Sequence, residues 1–183
     1  MGAREQQHTV QLGGPQPEMW FKPLYLQHLI QTFQANSSVD WILFMDIDTI
    51  VMNHSIVLTR LLAGAGPTDA LIISPDAGGI NTGVFLIANN EFGLEIINAW
   101  AEGITKHKST LMDQDYLRSI FDNKGLPRKN NSTASLKLLR QCALQSTGGL
   151  EQGSGRWPFT EGTYARGDFC VHFFGRADKL EQM

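Results

Sequence analysis

Residues 40–53 read Asp-Trp-Ile-Leu-Phe-Met-Asp-Ile-Asp-Thr-Ile-Val-Met-Asn, a stretch that joins an apolar run directly to a pair of acids. The run Trp41–Met45 has the length of a buried strand and is too short for an independent helix. Asp46 and Asp48 follow at i and i+2, a spacing that puts both carboxylates on one face of a strand. Because like charges beside a core repel each other and resist desolvation, a cation between them is favoured. Oxygen ligands suit Mg²⁺ or Mn²⁺, although a solvated turn between two strands would use the same residues.

The composition is that of a folded globular domain. The chain has 183 residues, of which 42% are hydrophobic and 18% charged, enough for one domain with a core. The formal net charge of −3 provides no basic footprint, so no nucleic-acid partner is expected. No apolar run approaches the length of a membrane span, and residues 1–17 lack the apolar segment of a signal peptide. Cys142 and Cys170 permit one disulfide without establishing it.

Strands and helices alternate along the chain. Apolar patterns predict helices over residues 19–35, 90–105 and 113–123, and strands over 41–45, 70–73, 84–88 and 169–174. Residues 136–144 are ambiguous between the two. Such interleaving is typical of an α/β fold with helices around one sheet. Glycine and proline punctuate residues 1–18, so we expect a mobile arm or truncated start there, followed by one domain over residues 19–183.

Several polar residues stand near the ends of these predicted elements, and each has a structural as well as a functional interpretation. Lys22 begins the first helix, where it is either solvated or reaches a phosphate. Asn81 lies in the segment Gly78–Gly83, which either admits a ligand to the backbone or forms an ordinary turn. Asp113-Gln114 opens a helix, where an acid complements the helix dipole. His172 lies on a strand, where most lone histidines are structural.

Taken together and in this order, these sites resemble those of the GT-A nucleotide-sugar glycosyltransferases. The matching pieces are Trp20-Phe-Lys22, Asp46-Ile-Asp48, Asn81-Thr-Gly83-Val-Phe-Leu, Trp100, Asp113-Gln114 and His172-Phe-Phe-Gly175. The chain looks most like family 34, the fungal galactosyl- and mannosyltransferases and plant xylosyltransferases, and is similar in layout to retaining family 8. The resemblance covers residues 19–179. It implies a Rossmann-like mixed sheet flanked by helices, and metal-dependent, retaining transfer of a hexosyl or pentosyl group from a nucleotide sugar to a glycan acceptor.

By this resemblance, Asp46, Asp48 and His172 hold one divalent metal, Mn²⁺ or Mg²⁺, and Asp46 also contacts the ribose. Lys22 lies near the donor phosphates. The chemistry agrees with these roles, because a metal and a lysine stabilise the charge that develops on a departing nucleoside diphosphate. A neutral imidazole can share a Mn²⁺ site with carboxylates.

The resemblance assigns a second diphosphate contact after the last strand. His172 and Gly175 match the first part of the HxxGxxK pattern of family 8, whose lysine meets the diphosphate. In this chain Asp178 holds the lysine position and Lys179 comes one residue late. Gly175 and Lys179 are therefore expected to bind the donor, although Lys179 departs from the family 8 pattern by one residue.

The donor sugar is expected to meet four further residues. By the resemblance, Asn81 and Asp76 bind sugar hydroxyls, while Asp113 and Gln114 lie beside the anomeric carbon as the catalytic pair. Amide and carboxylate groups in such positions can orient hydroxyls and favour an oxocarbenium-like carbon.

The resemblance also sets expectations for the start of the chain. GT-A folds begin with a strand and loop that hold the nucleoside base, and residues 1–18 do not look like them, so we expect a sheet that lacks its first strand. A Golgi-lumenal, type II membrane protein is implied, with an anchor absent from this chain and a homo- or hetero-oligomeric state left open. Glycosylation sequons are compatible with that location and begin at Asn36, Asn53, Asn130 and Asn131.

Two other hypotheses use the same residues. In haloacid dehalogenase-like phosphatases, an apolar strand leads into a DxD in which Asp46 would be the nucleophile and Asp48 the acid/base, with Ser74 as a second motif. The first motif of that family reads DxDxT, but here Ile50 stands at the threonine position and Thr49 comes one residue early. Asp113-Gln114-Asp115 opens a helix, which does not fit the family's later acidic motif. The second hypothesis is a non-catalytic subunit that keeps the glycosyltransferase fold for partner binding.

Overall fold

The computed structural model describes residues 20–33, 38–76, 79–106, 112–122, 134–147 and 163–173. The helices are α1 (Phe21–Phe33), α2 (Glu91–Ala101), α3 (Gly103–Lys106), α4 (Asp113–Asp122) and α5 (Gln141–Leu144), with a 3₁₀ turn at Leu58–Arg60. The strands are β1 (Trp41–Met45), β2 (Thr49–Val51), β3 (Asp69–Asp76), β4 (Gly79–Ala88), β5 (Ser135–Leu138), β6 (Ser146–Thr147) and β7 (Cys170–His172).

The strands of the described residues form two mixed sheets. The four-stranded sheet has the order β1-β4-β3-β5, in which β4 is antiparallel to both neighbours and β5 is parallel to β3. The three-stranded sheet has the order β2-β7-β6, with β7 antiparallel to β2 and parallel to β6. The predicted mixed α/β fold is confirmed, but the expectation of a single sheet is wrong. The chain leaves the first sheet at Met45 and enters the second at Thr49, so the Asp46-Ile-Asp48 stretch lies at their junction.

The central strands β3 and β4 are buried on both faces, which explains their nearly continuous apolar sequence. One face packs against α1, α2 and α4 through a cluster that includes Leu71, Ile73, Phe85, Ile87, Leu26, Ile97, Trp100 and Leu117. The other face packs toward α5 and β7 through Ile72, Val84, Leu86, Leu144, Phe169 and Cys170. The site described below lies where these layers meet.

The helices agree closely with their predicted positions. Asn90 caps α2, since its Oδ1 accepts a hydrogen bond of 3.0 Å from the Gly93 amide. Trp100 is fully buried in the core. The ambiguous residues 136–144 divide into the end of β5 and the short helix α5. Strand β4 was predicted only from Val84, but it begins at Gly79 because the Asn81-Thr82-Gly83 stretch is itself extended.

Within the described part of the chain, no helix has the length and apolar character needed to cross a bilayer. The predicted arm over residues 1–18, and the residues Gly175 and Lys179, lie outside the described residues. The expectations for these segments stay predictions.

Candidate active site

Asp46 and Asp48 lie in the turn between β1 and β2. The prediction that both carboxylates lie on one face of a strand is therefore wrong. Backbone hydrogen bonds hold this turn. The Asp46 amide donates to the Gly83 carbonyl at 2.7 Å, and the Thr49 hydroxyl and amide donate back to the Asp46 carbonyl at 2.6 and 3.2 Å. Ile47 is 99% exposed at the tip. The two acids on either side of it both approach His172.

His172 reaches the acids because β7 pairs with β2 in a register that sets His172 opposite Thr49. Its Nε2 lies 3.3 Å from Asp48 Oδ1 and 4.0 Å from Asp46 Oδ2. One ligand atom from each of the three side chains lies within 4.8 Å of the other two. Around an octahedral ion with bonds of about 2.1 Å, adjacent ligands are about 3 Å apart and opposite ones about 4 Å. The two carboxylates and the imidazole are therefore close enough together to hold one metal ion.

Lys22, in the first turn of α1, is held inside the site rather than solvated. Its side chain is 11% exposed, and Nζ lies 3.1 and 3.2 Å from the two carboxylate oxygens of Asp46. It also donates to the Thr82 carbonyl at 2.9 Å, lies 3.8 Å from Asp113 Oδ2, and stands 5.1 Å from the centre of the Phe44 ring. This cation is thus shared between Asp46 of the turn and Asp113 at the start of α4.

Asp113 and Gln114 face the same region from the N-terminus of α4. Asp113 is buried, and burial raises the pKa of its carboxyl group, although the Lys22 charge opposes that rise. Gln114 Oε1 accepts a 3.0 Å hydrogen bond from the Thr82 amide. The Trp100 indole donates to the Asp113 carbonyl at 2.8 Å and so ties the start of α4 to the core.

An irregularity in β4 accounts for many of these contacts. Ile73 pairs with Phe85 but Ser74 pairs with Asn81, so residues 82–84 have no partner on β3. Side chains of the site satisfy the backbone of this bulge. Lys22 and Gln114 bond to Thr82, and the Asn81 side chain accepts from the Gly83 amide at 2.8 Å. The bulge therefore joins the elements that carry the polar residues.

Asp76 and Asn81 lie together where β3 gives way to β4. Asn81 Nδ2 donates to Asp76 Oδ2 at 2.6 Å, and Asn81 is 4% exposed. Both ends of the Asn81 amide are thus engaged within the protein, because its Oδ1 accepts from the Gly83 amide.

Sequence reasoning missed Gln145 and Thr82. Gln145, which is 2% exposed between α5 and β6, lies 3.0 Å from the His172 ring, and Thr82 supplies backbone partners to Lys22 and Gln114. Thr82 stood inside a quoted motif and could have been considered. Gln145 had no such signal, because its position depends on a fold contact with β7.

Comparison with known proteins gives a family and relatives of low sequence identity. The model of the galactosyl transferase GMA12/MNN10 family matches residues 63–179. An uncharacterised alpha-1,2-galactosyltransferase of Schizosaccharomyces pombe is 24% identical over 194 residues, covering 88% of this chain and 48% of the relative. The probable alpha-1,6-mannosyltransferase MNN10 of Saccharomyces cerevisiae is 24% identical over 126 residues, covering 52% of this chain and 32% of that protein. The chain thus spans about half the length of the first relative and less of the second.

A solved structure gives the fold. A glycosyltransferase involved in the glycosylation of the major capsid of PBCV-1 superposes with a TM-score of 0.62 at 15% sequence identity. The match covers 94% of this chain and 78% of that one. At such low identity the likeness shows the fold alone.

Proposed function

The chain belongs to the galactosyl transferase GMA12/MNN10 family, and we propose that it transfers a glycosyl group from a nucleotide sugar to a glycan acceptor. The transferred group is a hexosyl or pentosyl unit, and the reaction depends on a divalent metal and retains the anomeric configuration. Because the chain belongs to a glycosyltransferase family, we set aside the phosphatase hypothesis for Asp46 and Asp48.

One observation carries the proposal: the three potential metal ligands lie close to a largely buried lysine, Lys22, and a buried acid, Asp113. Asp46, Asp48 and His172 offer ligand atoms within 4.8 Å of one another. Lys22 Nζ lies between the Asp46 carboxylate at 3.1 Å and Asp113 Oδ2 at 3.8 Å. Such an array suits a substrate that brings a diphosphate beside a sugar, because the diphosphate requires positive charge and the sugar requires hydrogen-bonding groups.

The acidic turn and the first helix would bind the diphosphate end of the donor. Asp46, Asp48 and His172 would hold the divalent ion, which supplies Lewis-acid stabilisation of the leaving group. Lys22 donates its N–H groups to phosphate oxygens and so favours cleavage of the bond between the anomeric carbon and the diphosphate. Gly175 and Lys179 remain proposed donor-binding residues on sequence grounds.

The sugar would lie between the end of β3 and the start of α4. Asp76 and Asn81, joined by their 2.6 Å hydrogen bond, would bind hydroxyl groups. Asp113 and Gln114 would flank the anomeric carbon, where the ionised carboxylate stabilises developing positive charge. Both curated relatives bear names of enzymes that form alpha linkages, and retention on an alpha-linked donor yields such a linkage.

The test is a panel of UDP-galactose, GDP-mannose, UDP-xylose and UDP-glucose, assayed for nucleotide diphosphate release with Mn²⁺ or with EDTA. We expect release from one donor that requires metal and is lost in Asp48→Asn while the circular dichroism spectrum is unchanged. NMR of the product should show retention. Equal turnover in EDTA would overturn the metal dependence, and an inverted product would overturn the proposed stereochemistry.

A non-catalytic donor-binding subunit is the second candidate, because Asp46, Asp48, His172 and Lys22 could bind a metal and a donor without transferring the sugar. Calorimetry separates the two functions. If a donor binds with Mn²⁺ but no donor is turned over, even by hydrolysis with water as the acceptor, the binding subunit is supported.

For the full-length protein we propose a Golgi-lumenal location behind an N-terminal anchor, and we leave homo- or hetero-oligomerisation to experiment. Family membership and the four sequons support this location. Fractionation combined with glycosidase treatment tests it, and a cytosolic protein without glycans would contradict it.

A further inference from the structure

The ring of His172 contacts two different polar groups. Nε2 faces the carboxylates of Asp48 and Asp46, while Nδ1 lies 3.0 Å from Gln145 Oε1. The exposed fractions of His172 and Gln145 are 4% and 2%, so water does not replace their contact. What Gln145 presents to Nδ1 therefore decides which nitrogen carries the proton when the ring is neutral.

The orientation of the Gln145 amide follows from its other partners. One end of the amide lies 3.1 Å from the carbonyl oxygen of Asn81 and 3.1 Å from Ser74 Oγ. A backbone carbonyl only accepts hydrogen bonds, so the end that faces Asn81 must be the NH₂ group. The oxygen Oε1 is then the end that faces His172.

Because an amide oxygen only accepts, His172 Nδ1 must be the donor in this buried contact. The opposite arrangement would set two acceptors 3.0 Å apart without water, which is costly. With the proton on Nδ1, the lone pair of a neutral ring lies on Nε2, the atom turned toward the acids.

We infer that Gln145 is a positioning residue, which holds the proton on His172 Nδ1 and turns the Nε2 lone pair toward Asp46 and Asp48. Through its NH₂ group it also braces the Asn81 carbonyl at the edge of the β4 bulge. Partners of this kind around metal-bound histidines commonly change metal affinity by about 10- to 100-fold when removed. The inference rests on the proposed metal site, because without a cation the Asp48 carboxylate, 3.3 Å from Nε2, competes with Gln145 for the ring proton.

Two substitutions at residue 145 separate its acceptor and donor roles. Gln145→Met keeps the volume and removes both, whereas Gln145→Glu keeps an acceptor for Nδ1 and loses the donor to Asn81. Gln141→Met is the matched control, since Gln141 lies on α5 four residues earlier and, among the residues that the structure describes, its side chain makes no hydrogen bond to the site. Nitrogen-15 NMR identifies the protonated ring nitrogen, with His172→Gln used to assign the signal.

With Mg²⁺ present, we expect neutral His172 to carry its proton on Nδ1 in the wild type, in Gln145→Glu and in Gln141→Met. In Gln145→Met residue 145 no longer accepts a hydrogen bond from Nδ1, so the Asp48 carboxylate, 3.3 Å from Nε2, should draw the proton to Nε2. Mn²⁺ affinity, measured by electron paramagnetic resonance, should fall about 10- to 100-fold in Gln145→Met. Gln141→Met should match the wild type, and Gln145→Glu should remain within a few-fold of it.

A wild-type proton on Nε2, or a Gln145→Met protein that keeps both the Nδ1 proton and the Mn²⁺ affinity, would overturn the inference. If Asp48→Asn loses Mn²⁺ binding but Gln145→Met does not, the proposed metal site stands and the role of Gln145 in it fails. A wild type with the expected tautomer that binds no Mn²⁺ would overturn the proposed metal dependence and leave the positioning of His172 in place.

Discussion

The imidazole of His172 occupies the space that a side chain on residue 83 would fill. A Cβ built on Gly83 would lie 1.9 Å from Cε1 and 2.4 Å from Nδ1 of that ring. Gly83 is not among the glycines with positive φ, so space and not backbone conformation requires a glycine here. The sequence suggested that glycines in this segment admit a ligand to the backbone. At Gly83 the group admitted is the protein's own histidine.

Gly83→Ala should therefore damage the metal site. The buried ring has to move, which is expected to weaken Mn²⁺ binding by at least about 10-fold and to cost about 1–3 kcal/mol of unfolding free energy. Calorimetry and urea unfolding measure the two effects. Gly66→Ala is the control, because a Cβ there meets its nearest atom, Asp69 Oδ2, at an ordinary 3.6 Å. Unchanged Mn²⁺ affinity in Gly83→Ala would contradict the prediction.

Local patterns were sufficient for the long helices and the cores of the central strands, but not for β2, β6 or the division of residues 136–144. The family resemblance was sufficient to group Asp46, Asp48 and His172. The division into two sheets was not accessible. It depends on the pairing of Thr49–Val51 with a strand far along the chain, and nothing in residues 41–52 specifies that partner. Gln145 was inaccessible for the same reason, since an isolated glutamine gains its meaning only from the strand that faces it.

Asp113→Asn should stabilise the protein at neutral pH and reduce its activity. Burial raises the folded-state pKa of Asp113 above the ordinary 3.8, so the folded protein holds this proton more tightly than the unfolded chain does. The ionised carboxylate therefore costs stability at neutral pH, and the cost disappears as pH falls through the folded-state pKa toward 3.8.

Urea unfolding at pH 7 should show a more stable Asp113→Asn protein, with a difference from the wild type that shrinks toward pH 4. Donor turnover should fall about 10²- to 10³-fold because a charge near the reacting carbon is removed. A variant that is less stable at neutral pH would show that the Lys22 charge outweighs the burial of the carboxylate.

The two thiols should differ in reactivity. Both cysteines are free, with Cys142 exposed on α5 and Cys170 buried on β7. Burial raises the pKa of Cys170 to about 12, and its Sγ donates to the Leu144 carbonyl at 3.1 Å. At neutral pH a disulfide-exchange reagent should titrate one thiol in the native protein and two in denaturant. Cys142→Ser should abolish the native reaction, and two equally fast native thiols would contradict this assignment.

Lys22→Met should change the affinities for metal and for nucleotide in opposite directions. In the metal-free protein Lys22 neutralises Asp46 across 3.1 Å, and a divalent ion must share that carboxylate with the ammonium group. Removing the ammonium charge leaves Asp46 more available, so Mn²⁺ should bind more tightly, by roughly 3- to 10-fold.

The same substitution removes a cation proposed to meet the donor phosphates, so nucleoside diphosphates should bind about 10-fold more weakly at saturating Mn²⁺. Unfolding without metal should become easier by about 1–2 kcal/mol, since Asp46 is partly solvated and the pair is only partly buried. Lys137→Met is the matched control, because Lys137 bonds to the Ala63 carbonyl away from the site. Parallel calorimetric titrations of Mn²⁺ and of UDP and GDP separate the effects. If both affinities fall together in Lys22→Met, the lysine acts by holding Asp46, Thr82 and Asp113 in place rather than by its charge, and its assignment as a phosphate ligand would be wrong.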